Sequence, residues 1–223
     1  MIYLKENGFK ILTIKNLKVM IQLILVILAI VIFFVYNAVF IATHEVPKSL
    51  SDTFYYYQND KKGLGYIFTA MMFSVCFILL PAWLSISDSF TTWERYFTFL
   101  SFFAAGSIAF VGAAPAFRNV GIENTVHMVA AKSAAIFSLL WCAIVCWRIM
   151  YIIPIGLGIT WLIGYIYSVI HCKKIYKSLN LEKDVMKHNI RAYLKHIDVY
   201  IWEMAAFVIT FVTILVQSII NLF

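Results

Sequence analysis

An all-α membrane bundle of about six transmembrane helices, in a single domain over residues 1–223, is the fold class that this sequence predicts. Three observations predict it. The chain is 63% hydrophobic and only 13% charged, whereas soluble domains are roughly 45–50% apolar and about 25% charged. Its apolar residues fall in runs near the ~20 residues that a helix needs to cross a ~30 Å hydrocarbon layer. These runs are continuous rather than alternating, which favours helices over the ~10-residue strands of a membrane barrel.

The first run, 20–42, follows Lys5, Lys10, Lys15 and Lys18. It exceeds a signal-peptide core and no small-residue cleavage pattern follows, so it reads as a retained helix. A polar stretch over 43–62 reads as a connection to the second run, 63–87, in which Pro81 predicts a kink. The third run, 96–115, holds Ala104, Ala105, Gly106, Gly112, Ala113 and Ala114, small side chains that let helices approach closely. The fourth, 125–147, is interrupted only by His127 and Lys132, and Arg148 marks a tight turn. The fifth, 149–170, contains Pro154, Gly156, Gly158 and Gly164. The sixth, 199–223, contains Glu203.

The net charge of +7 comes from Lys and Arg lying between apolar runs. That pattern reads as membrane anchoring, with lipids as partners and no nucleic acid. Cys76, Cys142, Cys146 and Cys172 lie in or beside apolar runs without a paired CxxC, and read as reduced, buried residues. The N-terminal lysines put both termini on the cytoplasmic side. The basic stretch from Lys173 to Lys195 pulls the other way. In either orientation the connections after the first, third and fifth helices share one face.

Ionisable groups in membrane segments cost about 2.5–3.5 kcal/mol each on insertion scales and so require a partner or a use. Asp52, His127, His196 and Glu203 all approach the shared face, and their convergence would make a polar pocket. Two imidazoles and two carboxylates suit a divalent metal such as zinc, with His127, His196 and Asp52 as its candidate ligands. The same set suits acid and base attack on a lipid ester or amide. Ser51, Glu123 and Lys132 stand beside them as candidate substrate contacts. Structural roles compete: Ser51, Asp52 and Thr53 as a helix cap, His127 as a packing histidine, and Lys132 with Glu203 as a buried ion pair. His44, His171 and His188 read as solvated or interfacial. No HExxH, GxSxG or P-loop is present.

Pro47-Lys48-Ser49-Leu50-Ser51-Asp52-Thr53, followed by Ile67-Phe68, resembles the proline and Ile-Ser-Asp-Thr-Gly element of a six-helix membrane family. That family includes the damage-regulated autophagy modulators, the FGF-receptor-activating protein, yeast Sfk and a GPI-anchor lipid-remodelling factor. His127-Met128-Val129-Ala130-Ala131 resembles its His-Asp-x-Gly-Ala, and His196 with Trp202-Glu203 its His and Glu-Trp. Phe54 stands in place of the glycine, Met128 in place of the aspartate, and Trp202 precedes Glu203. The resemblance spans roughly residues 20–220 and reaches distantly to alkaline ceramidase-like hydrolases. It implies six helices, a functional face on the non-cytoplasmic side and involvement with membrane lipids, as modifier, sensor or regulator. A non-catalytic scaffold, and less readily a small transporter, are the alternatives.

Overall fold

The computed structural model describes residues 2–44, 46–47, 49–90, 92–115, 121–149, 198–221 and scattered positions between 156 and 170; side chains of 2–16, 148–149 and 198–199 fall outside that description. Among the described residues six α-helices are defined in chain order: α1 (Ile2–Thr43), α2 (Thr53–Asp60), α3 (Tyr66–Asp88), α4 (Phe99–Ala113), α5 (Ile122–Ile149) and α6 (Asp198–Ile220). 3₁₀ turns at Leu50–Asp52 and Trp93–Phe97 precede α2 and α4.

The chain is an integral membrane protein. Among the described residues, five helical stretches are long and apolar enough to span: Leu17–Thr43, Tyr66–Asp88, Trp93–Ala113, Ile122–Trp147 and Tyr200–Ile220. They match the expected runs except that α5 continues through Arg148, where a tight turn was expected. The expected helix at 149–170 lies largely outside the described residues.

Each span shows large apolar side chains outward as well as inward. On α1, Val26, Ala29, Phe33, Tyr36 and Phe40 recur every three or four residues on the buried side. Ile24, Leu28, Val31, Val35 and Val39 cover the opposite side. Phe77, Phe102, Phe110 and Trp147 are likewise exposed. Such a surface would drive association in water and is the surface a bilayer solvates.

Helices α3, α4 and α5 form an antiparallel series. The start of α3 meets the end of α4 where Thr69 Oγ1 donates to the Gly112 carbonyl (2.9 Å), and Cys76 Sγ meets the Ala105 carbonyl further along (3.1 Å). The small residues expected to allow close approach do so at Ala104, Ala105 and Gly112, which are buried, whereas Ala113 is exposed. A Cβ on Gly112 would sit 2.8 Å from the Cβ of Met72. Gly112→Ala is therefore expected to destabilise the bundle by about 1 kcal/mol, the lower end of overpacking costs, read as a lower unfolding temperature in detergent. At the far end, Trp141 Nε1 donates to Ser87 Oγ (2.9 Å), which also lies 3.0 Å from Ser101 Oγ. This polar knot joins three helices.

The connection between α1 and α3 is not the solvent-exposed link that its polarity suggests. Thr53 Oγ1 lies 2.5 Å from Tyr36 OH, the Tyr57 ring 5.3 Å from that of Phe40, and Asp60 Oδ2 2.9 Å from His44 Nε2. Thr53, Tyr57 and Asp60 thus pair with successively later residues of α1. The chain turns back after α1, reaches its deepest point near Leu50–Asp52, and returns along α1 as α2. Tyr36 precedes the end of α1 by about two turns, so the tip of this re-entrant loop sits roughly 11 Å inside that end. Non-helical backbone at such depth is tolerated where protein surrounds it, and Leu50, Ser51, Asp52 and Thr53 are all buried.

Candidate functional site

The re-entrant tip folds as it does because its own side chains close its backbone. Ser49 is extended (φ −147°, ψ 160°), and its hydroxyl accepts from the Asp52 N–H and donates to Asp52 Oδ2, both at 3.2 Å. Thr53 Oγ1 donates to the Leu50 carbonyl (2.7 Å), which leaves Tyr36 as donor in the Tyr36–Thr53 bond. The helix-capping role weighed for Ser51, Asp52 and Thr53 thus centres on Ser49 instead.

One tip donor is met from a distant part of the chain. The Leu50 N–H donates to Glu203 Oε2 at 2.6 Å, a bond between the loop and the second turn of α6. One turn earlier on α6, Tyr200 OH donates to Asn37 Oδ1 (2.8 Å), and Asn37 Nδ2 in turn donates to the Phe33 carbonyl (2.8 Å). Asp52 lies close enough to Glu203 for the two carboxyls to interact electrostatically. At the loop's outer neck, burial and the Asp60 carboxylate raise the Tyr57 phenol above its ordinary pKa. His44 stacks on Phe40 at 4.7 Å and bonds Asp60, so it closes the neck.

Beneath the tip lies a cleft with about 650 Å³ of empty space, counting its open side, walled by α3, α4, α5 and α6. Met72, Leu79, Ile108 and Val111 line one side, and Ala131, Ala134, Ala135, Ala206, Phe207 and Phe211 the other. Ser138 and Thr210 also line it, but their hydroxyls donate to carbonyls of their own helices, Ala134 (2.6 Å) and Ala206 (2.9 Å). Ser51 and Glu203 remain as the polar end. Ser51 is 5% exposed, and its hydroxyl makes no hydrogen bond among the described residues. Glu203 is half-buried because part of its surface faces this space.

The structure therefore brings Ser51, Asp52 and Glu203 together. His127 is buried at the start of α5, where Nδ1 donates to the Ala114 carbonyl (2.8 Å), so it joins α5 to α4 and is not among the cavity-lining residues. Glu123 stands one turn before it on α5. His196, His171, His188 and Cys172 lie outside the described residues. Among the described residues no three His, Cys, Asp or Glu side chains gather as a metal site.

The Lys132–Glu203 ion pair weighed as a competing structural role does not form. Lys132 is exposed on the same side of α5 as Val129, Ile136 and Leu140, while Glu203 bonds the loop backbone. Cys76, Cys142 and Cys146 are free thiols, as expected. Sequence reasoning missed the alanine wall of the cavity, although its spacing at 131, 134 and 135 is visible on one helix side. Compared with family models, curated proteins and solved structures, the chain matches none.

Thr53 joins the tip to α1 and carries no cavity surface. Thr53→Val is expected to cost about 1–2 kcal/mol through the two lost hydrogen bonds, measured by thermal unfolding in detergent, with little change in what the cavity holds.

Proposed function

We propose that this protein binds a membrane lipid or related amphiphile, with its hydrocarbon chain in the cavity and its polar group against Ser51 and Glu203. The observation that carries this reading is the cavity's polarity: an apolar wall from four helices, ending in one buried hydroxyl and one carboxylate. Ligand pockets characteristically combine apolar walls with a few fixed polar groups.

Binding or sensing is favoured over hydrolysis. Glu203 holds the Leu50 N–H and Asp52 engages Ser49, so both acids have work in maintaining the loop. A regulator that uses a bound lipid to hold the loop against α6 fits this division of roles. Residence in the six-helix family of autophagy modulators is part of the same proposal, supported by burial of the Ser51-Asp52-Thr53 element that carries the resemblance. Six spans are supported by direction: Glu203 shares the cavity with Ala135 and Thr210 Oγ1 lies 3.9 Å from Cys142 Sγ, so α5 and α6 run parallel. A return crossing between these two spans is part of the same proposal. With cytoplasmic termini, the re-entrant loop opens on the non-cytoplasmic side.

The test is native mass spectrometry of protein purified from membranes. Wild type is expected to carry a bound lipid, and Ala134→Phe, which fills the cavity, is expected to lose it while keeping its unfolding temperature within a few degrees. Equal lipid retention by a folded Ala134→Phe protein would refute binding in this cavity.

A further inference from the structure

We infer that the polar end of the cavity selects an amphiphile with an ammonium head over one with a phosphate, sulfate or carboxylate head. This rests on the lipid-binding reading above and names the class of ligand. Among the described residues no Lys, Arg or His lines the cavity, and Lys132 is exposed on the outer side of α5. The side chains that line the polar end are a carboxylate and a hydroxyl, with a second carboxyl, Asp52, in electrostatic range of the first.

Their bonding leaves room for a donor. Glu203 Oε2 accepts the Leu50 N–H, while its other oxygen makes no hydrogen bond among the described residues. Ser51, a buried residue at the same end, makes no hydrogen bond through its hydroxyl among the described residues. A carboxylate in low-dielectric surroundings is costly unless a cation and hydrogen bonds meet it. An ammonium head supplies both, giving one N–H to Glu203 and another to the Ser51 oxygen. An anionic head would meet like charge and, among the described residues, no cationic partner, whereas sites for phosphate or carboxylate supply Arg, Lys or several N–H donors.

The experiment uses the full chain in an uncharged detergent at pH 7, with a fluorescent alkyl probe displaced by dodecylamine, dodecanol or dodecanoate. Dodecylamine is expected to displace the probe at a concentration at least about tenfold below dodecanoate, the scale of one charge-assisted hydrogen bond. Glu203→Gln keeps an oxygen for the Leu50 N–H and is expected to abolish that preference. Equal potency of amine and carboxylate on wild type, or a preference that survives E203Q, overturns the inference and leaves lipid binding standing. Failure of all three compounds to displace the probe refutes the lipid-binding reading itself. Should E203Q not fold, Ser51→Asp supplies the second arm: a wider preference for amine supports the inference and a narrower one overturns it.

Discussion

Glu203→Leu is expected to be less stable than Glu203→Gln by about 1–3 kcal/mol, the cost of leaving one buried backbone donor unmet. The comparison isolates the acceptor, because both variants remove the charge. Glutamine still offers an oxygen to the Leu50 N–H at the position of Oε2, and leucine offers none. Inside a bilayer no water replaces the lost partner, which places the cost toward the upper end of that range. The measurement is thermal or denaturant unfolding of both variants in the same detergent. Equal stability would mean that the loop does not depend on this bond, and that α6 meets it only through apolar contact.

Trp141→Ala is expected to cost at least about 3 kcal/mol, in the range for emptying a buried aromatic site. Trp141 is fully buried, packs edge-on against Trp83 with ring centroids 5.6 Å apart, and donates to Ser87 Oγ. Lipid is as apolar as the bundle interior, so little of this loss is hydrophobic transfer. It comes from the void between α3 and α5 and from the lost hydrogen bond. Trp141→Phe keeps most of the ring and is expected to lose about 1 kcal/mol, chiefly the bond to Ser87. A phenylalanine variant as unstable as the alanine one would assign the whole effect to the hydrogen bond.

The spans were legible in the sequence because run length and composition determine them, and solvation by lipid makes rotation about each helix axis almost irrelevant to that reading. The same fact hid the pairing of side chains. In a helix apolar on every side, nothing local says that Lys132 shares a side with Val129, Ile136 and Leu140 and faces away from Glu203. The alternative of a Lys132–Glu203 ion pair failed for that reason. Ser51, Asp52 and Glu203 were visible as ionisable or polar groups beside apolar runs, and their convergence follows from helix direction. His127 was visible too, but its packing against the Ala114 carbonyl depends on how α4 and α5 meet. The re-entrant loop was illegible because residues 43–62 are polar enough for water; their burial rests on partners elsewhere, Tyr36 for Thr53 and Glu203 for Leu50.

The most direct test of the central claim, an alkyl chain held between α3, α4, α5 and α6 with its head at the re-entrant tip, is photolabelling in membranes. A fatty chain carrying a terminal diazirine is activated and the labelled peptides are mapped. Labels on the cavity residues Leu79, Phe207 and Phe211, lost in Ala134→Phe, are the expected result. Labels confined to the outward-facing Phe77, Phe102, Phe110 and Trp147, identical in wild type and Ala134→Phe, would contradict it.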